Sequence, residues 1–190
     1  MTRTEIFVPH GHRILVAPAD LVAAWRRYTQ RIPAKYALGT AQHESSFTLN
    51  EVDTEKSGYV SKGVYQLSES EAAEAGFSHA NLLELEDATR VFCVLCERRL
   101  QRIIKTARLA KENLPVDVWA YLALAHNQGL SAALKTIELH GLNWAAYKQR
   151  NPQLAGMGRY GDDVISGGSH WTKELDSAPR KAPLPQTLAA

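Results

Sequence analysis

This 190-residue chain contains no run of about 18 apolar residues, which excludes a membrane-spanning helix. Cysteine is scarce: Cys93 and Cys96 stand three apart inside a helical pattern and share one face. Neither a second ligand pair nor a strand-to-helix turn accompanies them, so they read as small core residues, not as a zinc or redox site. His43, His10 and His12 belong to no HExxH or Cys/His ligand set, and neither a metal nor a cofactor is expected. Charge of one sign is also lacking. The net charge is +2 and the pI about 8.5, which permits contact with anionic polymers without demanding it. No aromatic residues are interleaved with the basic run Arg98, Arg99, Arg102, Lys105, Arg108 and Lys111, so that run reads as a solvated helix face and no nucleic-acid partner is expected.

An export signal is missing as well. Ala17-Pro18-Ala19 has the small residues of a cleavage site, but Pro9, His10, Gly11, His12 and Arg13 break the apolar stretch before it. The expectation is synthesis in the cytoplasm without a Sec signal. There is no internal repeat.

What is present is mostly helical patterning. Residues 1–18 read as an extended N-terminal arm, with Ile6, Phe7 and Val8 as a short strand. Leu21, Val22, Trp25, Tyr28 and Ile32 then recur at helical spacing up to Pro33, and a second helix covers residues 34–46. Gly58 and Gly63, with an alternation through Tyr59, Val60, Val64, Tyr65 and Leu67, suggest a loop carrying short hairpin strands over residues 48–67. Ser68 and Glu71 have capping-box spacing, and Gly76 supplies a stop. A long helix is expected over residues 82–111, others from Pro115 to Asn127 and from Ser131 to His140, and a short one at 143–148. Pro179, Pro183 and Pro185 mark residues 176–190 as a flexible tail, leaving 19–175 as one main domain. The fold class expected is mainly α, of α+β type, with a small β-hairpin region.

One residue interrupts the bland second helix. Ala37, Ala41 and Glu44 stand at i, i+4 and i+7, which turns the carboxylate toward the apolar face. A carboxyl there resists ionisation and is prepared to act as a general acid at neutral pH; the plainer alternative is a hydrated glutamate at a helix boundary.

Three motifs follow one another along the chain: Glu44-Ser45 at a helix end, Gly63-Val64-Tyr65-Gln66 after a loop, and Ala125-His126-Asn127 closing a later helix. In order and spacing they resemble the soluble-type lytic transglycosylases and their relatives the goose-type lysozymes, over roughly residues 21–165. That family carries Glu-Ser, Gly-Leu-Met-Gln, Ala-Tyr-Asn and a late tyrosine, here matched by Tyr160 in position only.

The resemblance implies a lysozyme-like domain with helices around a substrate cleft. Its activity would be cleavage of the β-1,4 bond between N-acetylmuramic acid and N-acetylglucosamine in peptidoglycan, with Glu44 as single general acid and base and a 1,6-anhydromuramic product. It places Ser45, Gly63, Tyr65, Gln66, His126, Asn127 and Tyr160 in substrate binding. Gln66 would bind the sugar or hold the acid's surroundings, and Tyr160 would hydrogen-bond Glu44. His126 departs from the family's tyrosine, and Val64-Tyr65 from its Leu-Met; an aromatic ring at 65 would stack on a pyranose. Asp53 and Glu55 keep a second route open, since either could serve as the second carboxylate of a hydrolytic muramidase. A non-catalytic wall-binding module is the alternative outside enzymes. The partner implied is the peptidoglycan glycan strand and the expected state a monomer. Acting on the bacterial wall without a Sec signal points to a phage-encoded enzyme delivered by lysis or in a virion, or else to specialised secretion.

Overall fold

The computed structural model describes residues 3–8, 11–110, 112–151, 161, 162 and 176. Helices dominate it, accompanied by two antiparallel strand pairs. The chain divides into two compact units, with the division falling inside a long helix between Leu95 and Cys96.

In the first unit β1 (Arg3–Val8) and β2 (Gly11–Val16) pair in antiparallel register from Arg3↔Val16 to Val8↔Gly11. The N-terminal stretch is therefore not a lone extended arm. Its second strand comes from the run Ile14-Leu15-Val16, whose β-branched and apolar residues suit a pleated surface. The other edge of β2 is fastened to residues 47–50: Val16 N–H donates to Phe47 O (2.9 Å) and Leu49 N–H to Ile14 O (2.7 Å). Asn50 completes the seam by accepting from Ile14 N–H (2.8 Å) and donating to His12 O (2.7 Å).

Helix α1 (Pro18–Tyr28) opens on a proline, with Asp20 in its first turn, and buries Leu21, Val22, Ala24 and Trp25. It stops earlier than the periodicity toward Pro33 suggests. The Thr29 hydroxyl accepts from the backbone N–H groups of Arg31 (3.2 Å) and Ile32 (3.3 Å), offering the chain a turn in place of another helical one. Helix α2 (Ala34–Ser45) follows Pro33 and ends at Ser46, whose φ of 51° is left-handed. A small hairpin pairs β3 (Val52–Thr54) with β4 (Val60–Lys62). Helix α3 (Glu69–Glu74) starts at the expected capping box, with Ser68 and Glu71 satisfying each other's backbone N–H groups.

The unit closes around four rings. Phe92 stacks on Tyr65 at 4.3 Å and on Tyr36 at 5.9 Å, and Trp25 lies 5.8 Å from Phe92. These rings are all fully buried, and their area makes them a principal source of the unit's hydrophobic stabilisation.

Phe92 is carried on α4 (Leu85–Thr106), which is shorter at both ends than the expected span of residues 82–111. Ahead of it Asp87 accepts from Asn81 N–H (2.8 Å), holding residues 81–84 in turns. Behind it Arg108 adopts φ 54°, Leu109 N–H reaches Ile104 O (3.0 Å) and Arg108 N–H reaches Lys105 O (3.2 Å), a Schellman stop with arginine where glycine is usual. Cys93 and Cys96 are both sealed in the interior.

The second unit holds the end of α4 with α5 (Asp117–Asn127), α6 (Leu130–His140) and α7 (Trp144–Arg150). Its aromatic centre is Tyr121, Trp144 and Tyr147, with Trp144 stacked 5.1 Å from Tyr147 and edge-on to Tyr121 at 5.5 Å. The Tyr121 hydroxyl donates to Gly141 O (3.1 Å), and Asp117 accepts from Trp144 N–H (3.0 Å), which ties the start of α5 to the start of α7. The basic face of α4 needs one correction: Arg98, Arg102, Lys105 and Arg108 are exposed, whereas Arg99 is buried and lies 3.3 Å from His126 Nδ1. A guanidinium can be buried where it meets a polar partner, and sequence alone had no way to supply that partner from another helix. Among the described residues no helix is long and apolar enough to cross a membrane.

Candidate active site around Glu44

The last turn of α2 brings Glu44 to the point where helix gives way to loop. Ala37 and Ala41, two turns and one turn before it, are wholly buried, and Glu44 itself is partly covered. Burial pushes its pKa up from 4.5 to about 7, and the negative charge of Glu71 adds to the rise. Near neutral pH the carboxyl thus keeps its proton far more readily than an ordinary glutamate, the condition a general acid requires. Left-handed backbone at Ser46 (φ 51°) and Phe47 (φ 63°) ends the helix immediately behind it.

Ser45 is buried, and its hydroxyl lies 3.2 Å from Ala41 O and 2.9 Å from Val64 O. That hydroxyl is turned to the protein's own carbonyls, so the substrate-binding role drawn for Ser45 is corrected: it fastens the end of α2 to the loop at residues 63–67. Gly63 is the pivot of that loop. Its φ is 77°, and a Cβ at this position would lie 1.9 Å from Leu82 O, so only glycine fits. Its N–H donates to Glu51 O (2.8 Å) and its carbonyl accepts from Gln66 N–H (3.1 Å) and from Gln66 Nε2 (2.9 Å).

Gln66 is held in turn through Ser61 Oγ, which donates to its Oε1 at 2.7 Å. Of the two roles implied for Gln66, the geometry favours the second, in which the amide braces the loop beside the acid. Tyr65 is a plain correction. Its ring is fully buried between Trp25 and Phe92, where the hydrophobic gain of a large ring outweighs any surface role, and it has no face on which a pyranose could stack.

Asp53 and Glu55 are exposed on and beside β3; Asp53 lies opposite Ser61, and Glu55 accepts from Ser57 Oγ (3.2 Å). Among the described residues, a carboxylate whose charge acts on Glu44 is Glu71. The capping-box pattern had singled out Glu71 only as a helix starter. Tyr59, at the end of the β3–β4 turn, was likewise read only as part of an alternation. It is exposed, and its hydroxyl approaches Glu71 Oε2 at 3.4 Å.

The remaining expected residues belong to the second unit or to its C-terminal end. Asn127 is exposed at the last position of α5, and His126 is half-buried beside Arg99. Tyr160 lies outside the described residues. Glu44, Ser45, Gly63 and Gln66 are therefore brought together within the first unit. Among the described residues no group of three or more His, Cys, Asp or Glu is arranged to hold a metal ion.

No protein-family model, curated protein or solved structure matches the chain.

Proposed function

We propose that this protein is a peptidoglycan-cleaving enzyme of lysozyme-like type that works as a lytic transglycosylase, with Glu44 as its one general acid and base. The observation that carries the reading is Glu44 itself: a carboxyl with a pKa of about 7, held at a helix end and backed by a loop that Ser45, Gly63 and Gln66 lock in place. An acid whose pKa is raised in this way can give its proton to the glycosidic oxygen and, once ionised, accept one from the muramic C6 hydroxyl. That oxygen then closes on C1, the glycosidic C–O bond breaks, and the 1,6-anhydro ring forms with no water consumed. Hydrolysis by two carboxylates is less well supported, because Asp53 and Glu55 are both exposed and neither contributes to the raised pKa of Glu44. Within this reading the wall would be reached by lysis, virion delivery or a specialised secretion route.

The test is a digest of purified peptidoglycan followed by mass spectrometry. The wild-type protein should release 1,6-anhydromuramic ends, and Glu44→Gln should cut the rate by a factor of about 10² to 10⁴ while keeping the fold. Reducing muramic ends would show a hydrolase, and sedimentation with the wall without any cleavage would show a binding module.

A further inference from the structure

The turn behind Glu44 has a shape that its own residues do not favour. Helix α2 ends on two successive left-handed residues, Ser46 (φ 51°) and Phe47 (φ 63°), and neither is the glycine or asparagine that enters this region cheaply. Backbone hydrogen bonds close the turn: Ser46 N–H to Gln42 O (3.2 Å), Phe47 N–H to Ala41 O (3.1 Å) and Thr48 N–H to Ser45 O (3.0 Å). Much of what holds it comes from another element. Phe47 O accepts from Val16 N–H (2.9 Å), Leu49 N–H donates to Ile14 O (2.7 Å), and Leu15 of β2 bridges to Thr48. Asn50 locks this seam from its far end, accepting from Ile14 N–H at 2.8 Å and donating to His12 O at 2.7 Å. Ser46 is exposed, whereas Phe47, Thr48 and Leu49 are buried under the seam.

We propose that Asn50 is a positioning residue of the Glu44 site: it keeps β2 seated on residues 47–49, and that seat keeps Ser46 and Phe47 left-handed. This rests on the reading of Glu44 as the catalytic acid and adds what fixes the direction of the acid's helix end. With helical dihedrals at 46 and 47, α2 would run on. A helical side chain leans toward the turn before its own, so Phe47, three residues past Glu44, would then lie across the carboxyl's own face. The left-handed pair ends the helix before that happens and sends the ring into the interior. Backbone held in a costly region by its surroundings is a recognised way to fix a functional side chain in one direction. Asn50 acts through β2, Phe47 and Ser46, while Ser45, whose hydroxyl lies 2.9 Å from Val64 O, anchors the helix end on its other side.

Asn50→Ala cuts both side-chain bonds of the seam without altering the turn's own residues. Two properties of the folded variant are measured: the amide–Hα Overhauser effects within Ser46 and within Phe47, which are strong at positive φ and weak at helical φ, and the kcat and KM for cleavage of solubilised glycan strands. The Overhauser effects should weaken, and kcat should fall by about tenfold to a hundredfold at unchanged KM, the scale expected when a reacting group is misplaced by about 1 Å. Should Asn50→Ala not fold, Asn50→Asp keeps the acceptor for Ile14 N–H, loses the bond to His12 O and is read in the same way. Adding Ser46→Gly makes left-handed backbone cheap at an exposed position, so it should return much of the lost kcat and the Phe47 effect. A seam that serves stability alone would lower the denaturation midpoint while the Overhauser effects and kcat stay in place, and that result overturns the proposal. Weakened effects at unchanged kcat overturn it as well. The Overhauser measurement needs no turnover: effects that weaken in Asn50→Ala and return with Ser46→Gly, in a protein that cleaves nothing, would uphold the hold of Asn50 on the turn and defeat the enzyme reading. Full cleavage by Asn50→Ala would do the reverse.

Discussion

Glu44 is a residue whose usefulness and cost have one origin. Burial that keeps its proton available also makes the ionised folded state unfavourable. Below pH 4.5 the folded and unfolded chains both hold this proton, and the site costs nothing. As pH rises from 4.5 to about 7 the unfolded chain releases it first, so stability is lost across that window and stays lower above it. Glu44→Gln cannot ionise. It should match the wild type in urea unfolding below pH 4.5 and be more stable above pH 7, by at most about 3 kcal/mol at 1.36 kcal/mol per pH unit. Equal stability at both ends would mean that the carboxyl is well solvated. At this scale the sequence was readable where spacing decides burial, as with Ala37, Ala41 and Glu44. It misled where the deciding neighbour lies on another element. Tyr65 has the same pattern whether its ring meets solvent or Phe92, and Arg99 looks like any other cation on an amphipathic helix until His126 is placed beside it.

Among the elements, the loop at 63–67 is held by a close backbone approach at Gly63. Gly58 and Gly63 adopt similar dihedrals, φ 84° and φ 77°, but a Cβ at 58 would meet nothing within 4 Å, whereas one at 63 would strike Leu82 O at 1.9 Å. Gly58→Ala should therefore cost only the left-handed backbone penalty, about 1 kcal/mol. Gly63→Ala should cost about 2 to 4 kcal/mol, because Leu82 or the loop must also move. Chemical denaturation of the two variants checks this, and equal losses would show that the chain gives way at Leu82 without penalty. Helix α2 and the cap of α3 were legible because their start and stop signals are local: a proline ahead of Ala34, and Ser68 with Glu71. The β1–β2 hairpin and its seam to residues 47–50 were not, since strand pairing depends on partners that no local pattern names. The early end of α1 turned on a single threonine hydroxyl competing for backbone N–H groups.

For the molecule as a whole, the tyrosines should set the alkaline limit. Burial is the first cause of a raised pKa at Tyr28, Tyr59, Tyr121 and Tyr147, and at Tyr121 the value is pushed up to about 12. An acid whose pKa is higher in the folded state contributes full stability below its unfolded value of 10 and loses it as pH rises through the folded one. Thermal unfolding followed from about pH 8 upward should show a level Tm to about pH 10 and then a steep fall, with phenolate absorbance appearing together with unfolding. Phenolate formation well ahead of unfolding would place these hydroxyls in contact with solvent.

The two thiols are the chain's whole supply, and both lie sealed within α4 on either side of the boundary between the units. A folded molecule therefore gives an alkylating reagent nothing to attack, and each sulfur becomes available only when its own stretch of helix opens. Mass spectrometry that separates label at Cys93 from label at Cys96 would time the opening of each half, a pair of internal clocks that need no engineered probe.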